Sequence, residues 1–156
     1  MVQNYDQRIL WSNRSPLVMK VCRRVNFNAA HRLYRKDWSD EKNDAVFGKC
    51  NNPNFHGHNY VLEVWIEGDI DAETGYVIDL KILKDIIKEE IVERFDHRNL
   101  NLDCSEFENL IPTAENIILV SWNLLRSRLD KKFKLKLKLW ETENNIFEYD
   151  GAQMWN

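Results

Sequence analysis

From Val21 the odd positions Val21, Val25, Phe27, Ala29 and His31 alternate with more polar neighbours, Arg23 being the one discord. A period of two predicts a half-buried strand whose apolar face ends at His31. A second such run follows at His56, His58, Tyr60, Leu62, Val64 and Ile66, with Asn59, Glu63 and Glu67 on the other side. Both histidines therefore share the apolar face. Between the two runs, residues 32–54 are mostly charged, polar or glycine, which predicts a long loop of the kind that carries function. The stretch GDIDAETG predicts a turn into a short strand around Tyr76 to Ile78, a hairpin-like pair.

The period then changes. Leu80, Leu83, Ile86, Ile87, Ile91 and Phe95 recur at helical spacing behind Asp79, a candidate cap, and Asp96 and His97 fall just past the helix end. Pro112-Thr113 opens a second helix that carries Ile117, Leu119, Val120, Trp122, Leu124 and Leu125 and stops near Leu129. FKLKLKLWE alternates strictly, with Glu141 on the apolar side, and IFEY follows the turn TENN. This order predicts an α+β domain with both helices on one face of an antiparallel sheet. Residues 1–17 lack a clear period and are expected to be a loosely attached extension, leaving a single domain over 18–156.

Composition narrows the function. With 22 basic and 25 acidic side chains the net charge is −3, so no large positive field attracts nucleic acid. No apolar run approaches the ~20 residues needed to span a bilayer, and the N-terminus has neither a basic nor an apolar leader region. A cytoplasmic protein without membrane or nucleic-acid partners is expected. Three cysteines without a CxxC pair suit free thiols in a reducing compartment.

The histidine pattern suggests metal. An HxH pair in a strand sends both imidazoles the same way, close enough to bind one ion, and His31, at the end of its own strand, is the good third ligand. Three neutral histidines with an open fourth position suit catalytic zinc. The competing assignment is ordinary strand histidines bonded to backbone; burial of two imidazoles among Tyr60, Leu62 and Val64 without a partner weighs against it.

Asp96 precedes His97, the remaining histidine, and a neighbouring carboxylate fixes an imidazole's tautomer and raises its basicity. Adjacent residues in a strand point apart, so this pairing requires irregular backbone; the alternative is a histidine placed against a helix dipole. Cys50 lies in an asparagine- and glycine-rich stretch where a thiol serves as base or nucleophile, whereas Cys22 and Cys104 read as structural or incidental. Glu141, at the end of an apolar stripe, either reaches solvent or pairs with a planar guanidine-like edge. Glu115 reads as a dipole-compatible charge in a helix's first turn.

The motifs FNAAHRL, FGKCNNPNFHGHNY, FDHRNLN, PTAEN and WETENN resemble the 6-pyruvoyltetrahydropterin and 6-carboxytetrahydropterin synthase family over about residues 18–150. The resemblance implies a tunnelling fold: a four-stranded antiparallel sheet with two helices, three sheets closing into a barrel, and two trimers forming a homohexamer with sites between subunits. It implies that His31, His56 and His58 bind zinc, that Cys50 is the general base or acid, and that Asp96 and His97 relay protons. Glu141, with Thr113 and Glu115, would anchor the pterin. The implied substrate is 7,8-dihydroneopterin triphosphate, converted to 6-pyruvoyltetrahydropterin or, with loss of acetaldehyde as well, to the 6-carboxy product of the queuosine pathway. Five residues separate Cys50 from His56, an interval similar to the pyruvoyl enzymes; a folate-precursor branch has Glu in place of the thiol. Ala114 stands where relatives often carry Thr, and Phe55 where many carry Gly. The competing classes are a non-catalytic zinc or pterin-binding module and an unrelated metal-dependent hydrolase.

Overall fold

The computed structural model describes residues 17–152. Two 14-residue strands, β1 (Val18–His31) and β2 (His56–Asp69), pair antiparallel along their whole length, from Val18 opposite Asp69 to His31 opposite His56. On β2, Tyr60, Leu62, Val64 and Ile66 are fully buried while Glu63 and Glu67 face the other way, as the alternation requires. The expected extension lies outside the described residues except for Leu17, whose carbonyl accepts from Ile70 N–H.

Residues 32–54 are not one loop. They contain helix α1 (Asp40–Phe47), capped by Ser39, whose hydroxyl accepts from Lys42 N–H, and a 3₁₀ turn (Gly48–Asn51). α1 has no apolar stripe to betray it. It is anchored by a buried polar residue, Asn43, whose amide accepts from Arg35 N–H at 2.8 Å and donates to Arg35 C=O at 2.9 Å. The strand expected around Tyr76–Ile78 is also absent. Asp71 folds this segment around its own carboxylate, which accepts from Glu73 N–H, Thr74 N–H and the Thr74 hydroxyl. Val77 is buried in the core from a bend instead of a ladder.

Asp79 caps α2 (Leu80–Ile87) through Lys81 N–H; a π-helical turn (Lys88–Val92) and a last turn, α3 (Glu93–Phe95), continue it. Leu83, Ile87, Ile91 and Phe95 are all fully buried at intervals of four. Four residues of α-helix overshoot a full turn by about 40°, and the wider π turn keeps these side chains on one face. After β3 (Arg98–Asn99) and α4 (Leu100–Asp103), the long α5 (Ala114–Arg128) starts at Thr113, whose hydroxyl accepts from Asn116 N–H. β4 (Lys134–Trp140) pairs with β2, and β5 (Ile146–Tyr149) with β4.

The result is an α+β domain whose core lies between one sheet face and the helices. The sheet order is β3-β1-β2-β4-β5. Five strands stand where the resemblance implied four, because Arg98 and Asn99 pair parallel with Ala29 and Ala30. That two-residue contact is too short to carry a periodic signal.

Candidate metal centre

The β1–β2 ladder places His31 directly opposite His56, with His58 two residues farther on the same face. Their ligand atoms all lie within 4.8 Å of one another, and the rings approach to centroid distances of 4.5 Å (His31–His56) and 5.1 Å for each pair with His58. Gly57 permits this: a Cβ there would sit 3.1 Å from the Ala29 carbonyl oxygen. Phe55, immediately before the cluster, holds a left-handed φ of 64°.

His31 is buried, and its Nδ1 lies 2.7 Å from the Pro112 carbonyl oxygen. A carbonyl only accepts, so Nδ1 carries the proton and Nε2 presents a lone pair. Burial, reinforced by the neighbouring imidazoles, pushes His31 down to about 4 despite that hydrogen bond, and burial likewise lowers His56. Both are neutral at pH 7. Yet, among the described residues, His31 Nε2 and His56 Nδ1 are buried without a hydrogen-bond partner. Each such atom costs about 1–3 kcal/mol, and a divalent cation shared among the imidazoles removes that penalty. Charge neutrality, orphaned nitrogens and mutual proximity together fit a three-histidine metal site.

Glu141 follows β4, and its Oε1 lies 3.9 Å from both His31 Nε2 and His58 Nε2, while Oε2 accepts from Asn145 Nδ2 at 3.4 Å. Because His31 is neutral, its approach to Glu141 is not an ion pair; a half-buried carboxylate stands beside the cluster. Tyr60, two residues after His58 on the same strand face, has its hydroxyl raised by burial first and then by the charges of Glu141 and Cys50. Cys50 is half-buried in the 3₁₀ turn, and its carbonyl accepts from Leu33 N–H at 2.9 Å. Thr113 and Glu115 sit at the start of α5, directly after Pro112; the Thr113 hydroxyl caps the helix and Glu115 is exposed.

Asp96 and His97 form a contact of their own. His97 Nδ1 lies 2.9 Å from Asp96 Oδ2, and His97 adopts the irregular backbone this needs, at φ 58°. Asn28 fixes the pair to β1: its N–H donates to Asp96 Oδ1 at 2.7 Å and its carbonyl accepts from His97 N–H at 2.6 Å. The Asn28 N–H, more than His97, holds the Asp96 carboxyl below its usual range. His97 is exposed at 83%. Among the described residues, no hydrogen bond or ion pair joins this pair to Cys50 or the histidine cluster.

Cys22 and Cys104 stand apart, both pushed up to about 11 chiefly by burial, with the Cys104 thiol 3.5 Å from the Arg94 carbonyl. A groove of about 520 Å³ is lined by Lys20, Trp65, Lys136 and Glu148 among others and contains none of the cluster. Sequence reasoning missed Pro112, which acts through a main-chain oxygen and leaves no residue-type signal. It also missed Tyr60 as a site residue, although a tyrosine two positions after His58 on the apolar face was a usable clue.

A family profile described as 6-pyruvoyl tetrahydropterin synthase matches residues 20–152. The chain is 46% identical over 132 residues to the human 6-pyruvoyl tetrahydrobiopterin synthase, covering 85% of this chain and 91% of that protein. Similarity to the 6-carboxy-5,6,7,8-tetrahydropterin synthase of Rickettsia typhi is lower, 33% identity over 149 residues, covering 84% and 99%. In three dimensions the 6-pyruvoyl tetrahydropterin synthase of Caenorhabditis elegans superposes with a TM-score of 0.82 at 37% identity, covering 88% of this chain and 98% of that one.

Proposed function

Because the chain belongs to the 6-pyruvoyl tetrahydropterin synthase family, we propose that it converts 7,8-dihydroneopterin triphosphate to 6-pyruvoyltetrahydropterin with release of triphosphate. The observation that carries the reading is the cluster of three imidazoles, two of whose buried nitrogens have no hydrogen-bond partner among the described residues, approached by Glu141 and followed by the tie from Leu33 to the Cys50 carbonyl. We assign the ion as zinc, held by His31, His56 and His58. When bound, zinc polarises side-chain oxygens of the substrate and makes the adjacent C–H bonds more acidic.

The remaining groups supply position and proton transfer. Glu141 accepts from the guanidine-like edge of the pterin, with Thr113 and Glu115 beside it, and this sets the side chain over the cluster. Cys50 removes a proton from a side-chain carbon. Asp96 orients His97 through Nδ1, leaving Nε2 free to exchange a proton with the substrate. The carbinol carbon next to the ring is oxidised as the ring C=N bond is reduced, and loss of triphosphate generates the second carbonyl. Proton movements alone balance the reaction, so no external reductant is needed.

We further propose a homohexamer of two trimers, each closing its three sheets into a barrel, with Cys50 and the Asp96–His97 pair meeting across subunits. The outer edge of β1 supports this, because among the described residues β3 covers only Ala29 and Ala30 and leaves the rest of that edge unpaired. So does the exposure of His97, which among the described residues has no hydrogen bond or ion pair with Cys50. No helix among the described residues is long and apolar enough to cross a membrane. The free thiols favour a reducing compartment, the cytoplasm.

Incubation of the zinc-loaded protein with dihydroneopterin triphosphate tests the reading. The expected product has the mass of the 6-pyruvoyl compound; a 6-carboxy product with acetaldehyde, or unchanged substrate, rejects it. Cys50→Ala should retain zinc and substrate binding while losing about 10²–10⁴-fold in kcat, whereas a hydrolase acting through metal-bound water would keep full activity.

A further inference from the structure

Three consecutive residues at the end of β1 reach three different segments. His31 bonds Pro112, Leu33 N–H donates to Cys50 C=O, and between them Arg32 does more than either. Its main chain is clasped by the Asn101 amide, which accepts from Arg32 N–H at 2.8 Å and donates to Arg32 C=O at 2.9 Å. Its Nε donates to both the carbonyl and the side-chain oxygen of Asn51, at 2.9 and 3.0 Å. The guanidinium lies over the Tyr34 ring, 4.4 Å from its centroid.

The turn that carries Cys50 is only four residues long, and Asn51 is its one buried member. Nothing apolar within it fixes the thiol. Asn51 is instead held from two sides, by Arg32 and by Asp44, whose carboxylate accepts from Asn51 Nδ2 at 2.6 Å. The Leu33 bond is main chain to main chain and independent of side-chain identity. Arg32 therefore provides the sequence-specific link between the strand that ends in His31 and the residue adjoining Cys50. A lysine has a methylene where Arg32 has Nε, so the one donor that both Asn51 oxygens share is absent from it.

We propose that Arg32 is a positioning residue that sets the Cys50 thiol relative to the metal cluster; this rests on the reading of Cys50 as the proton-transferring group. Arg32→Ala and Arg32→Lys, in the zinc-loaded full chain, test it through zinc content, kcat, KM and the rate of iodoacetamide alkylation at Cys50. Expected are full zinc, KM within about threefold, kcat lower by about 10- to 100-fold, and an alkylation rate changed at least several-fold in both variants. Should Arg32→Ala not fold, Arg32→Lys, which keeps the charge, decides the matter. An unchanged alkylation rate, an unchanged kcat, or loss of zinc together with activity overturns the proposal. The alkylation readout needs no turnover, so it separates this inference from the underlying one, which fails if Cys50→Ala remains fully active.

Discussion

His31 and Pro112, 81 residues apart, share a 2.7 Å hydrogen bond that settles which imidazole nitrogen carries the proton. The consequence is a lone pair at Nε2, buried without a hydrogen-bond partner among the described residues, on a ring that lies against those of His56 and His58. A second residue thus prepares a ligand atom without touching whatever the atom binds.

Removing one imidazole should leave too few donors. His56→Ala is expected to bring bound metal close to zero by elemental analysis, while Cys50→Ala retains the wild-type metal content. Metal retained in His56→Ala would mean that the cluster is not the site.

Acid should destabilise the metal-free protein through His31. Its folded value of about 4 lies below the ordinary 6.5, so the unfolded chain binds the proton more readily and stability is lost as pH falls from about 6.5 toward 4. The full difference corresponds to roughly 3 kcal/mol. Denaturant titrations of chelator-treated protein at pH 7.5 and 4.5 check this; His31→Gln should flatten the dependence.

The three thiols should separate on alkylation. Cys22 and Cys104, near 11, hold only about one thiolate in a thousand at pH 8. Peptide mapping after brief iodoacetamide treatment is expected to find Cys50 labelled first. Earlier labelling of buried Cys104 would contradict the packing described for it.

Phe55 carries the backbone burden of the loop before His56. A side chain at φ 64° is strained by about 1–2 kcal/mol, which Gly avoids. Phe55→Gly should change thermal stability little, since relief of strain offsets lost contacts, whereas Phe55→Val, β-branched, should cost about 2 kcal/mol or more. Melting curves of the two variants decide between this account and one in which the ring's packing dominates.

Much of this was readable in the residues. The face shared by His56 and His58 follows from period two alone, and the pairing of Asp96 with His97 demanded the irregular backbone that the positive φ of His97 supplies. The helix start at Pro112-Thr113 and the apolar end of Lys134–Trp140 that delivers Glu141 were equally plain. What stayed hidden lacked an apolar signature. α1 is anchored by Asn43 and not by a hydrophobic stripe, β3 is two residues long, and the Asp71 carboxylate outcompetes a ladder for the segment before Val77. Pro112 and Asn28 act through peptide groups, which every residue possesses.

The ties from residues 31–33 to Cys50, Asn101 and Pro112 also bear on how the protein matures. The two strands that supply the nitrogens are complete by Asp69, yet the carbonyl that fixes the His31 tautomer arrives only with Pro112. A partly synthesised chain could form the hairpin but not the prepared donor set. On the proposed metal-binding role of these histidines, ion capture is coupled to long-range closure of the polypeptide, and a ribosome-bound fragment ending before residue 112 should have weak affinity for the metal.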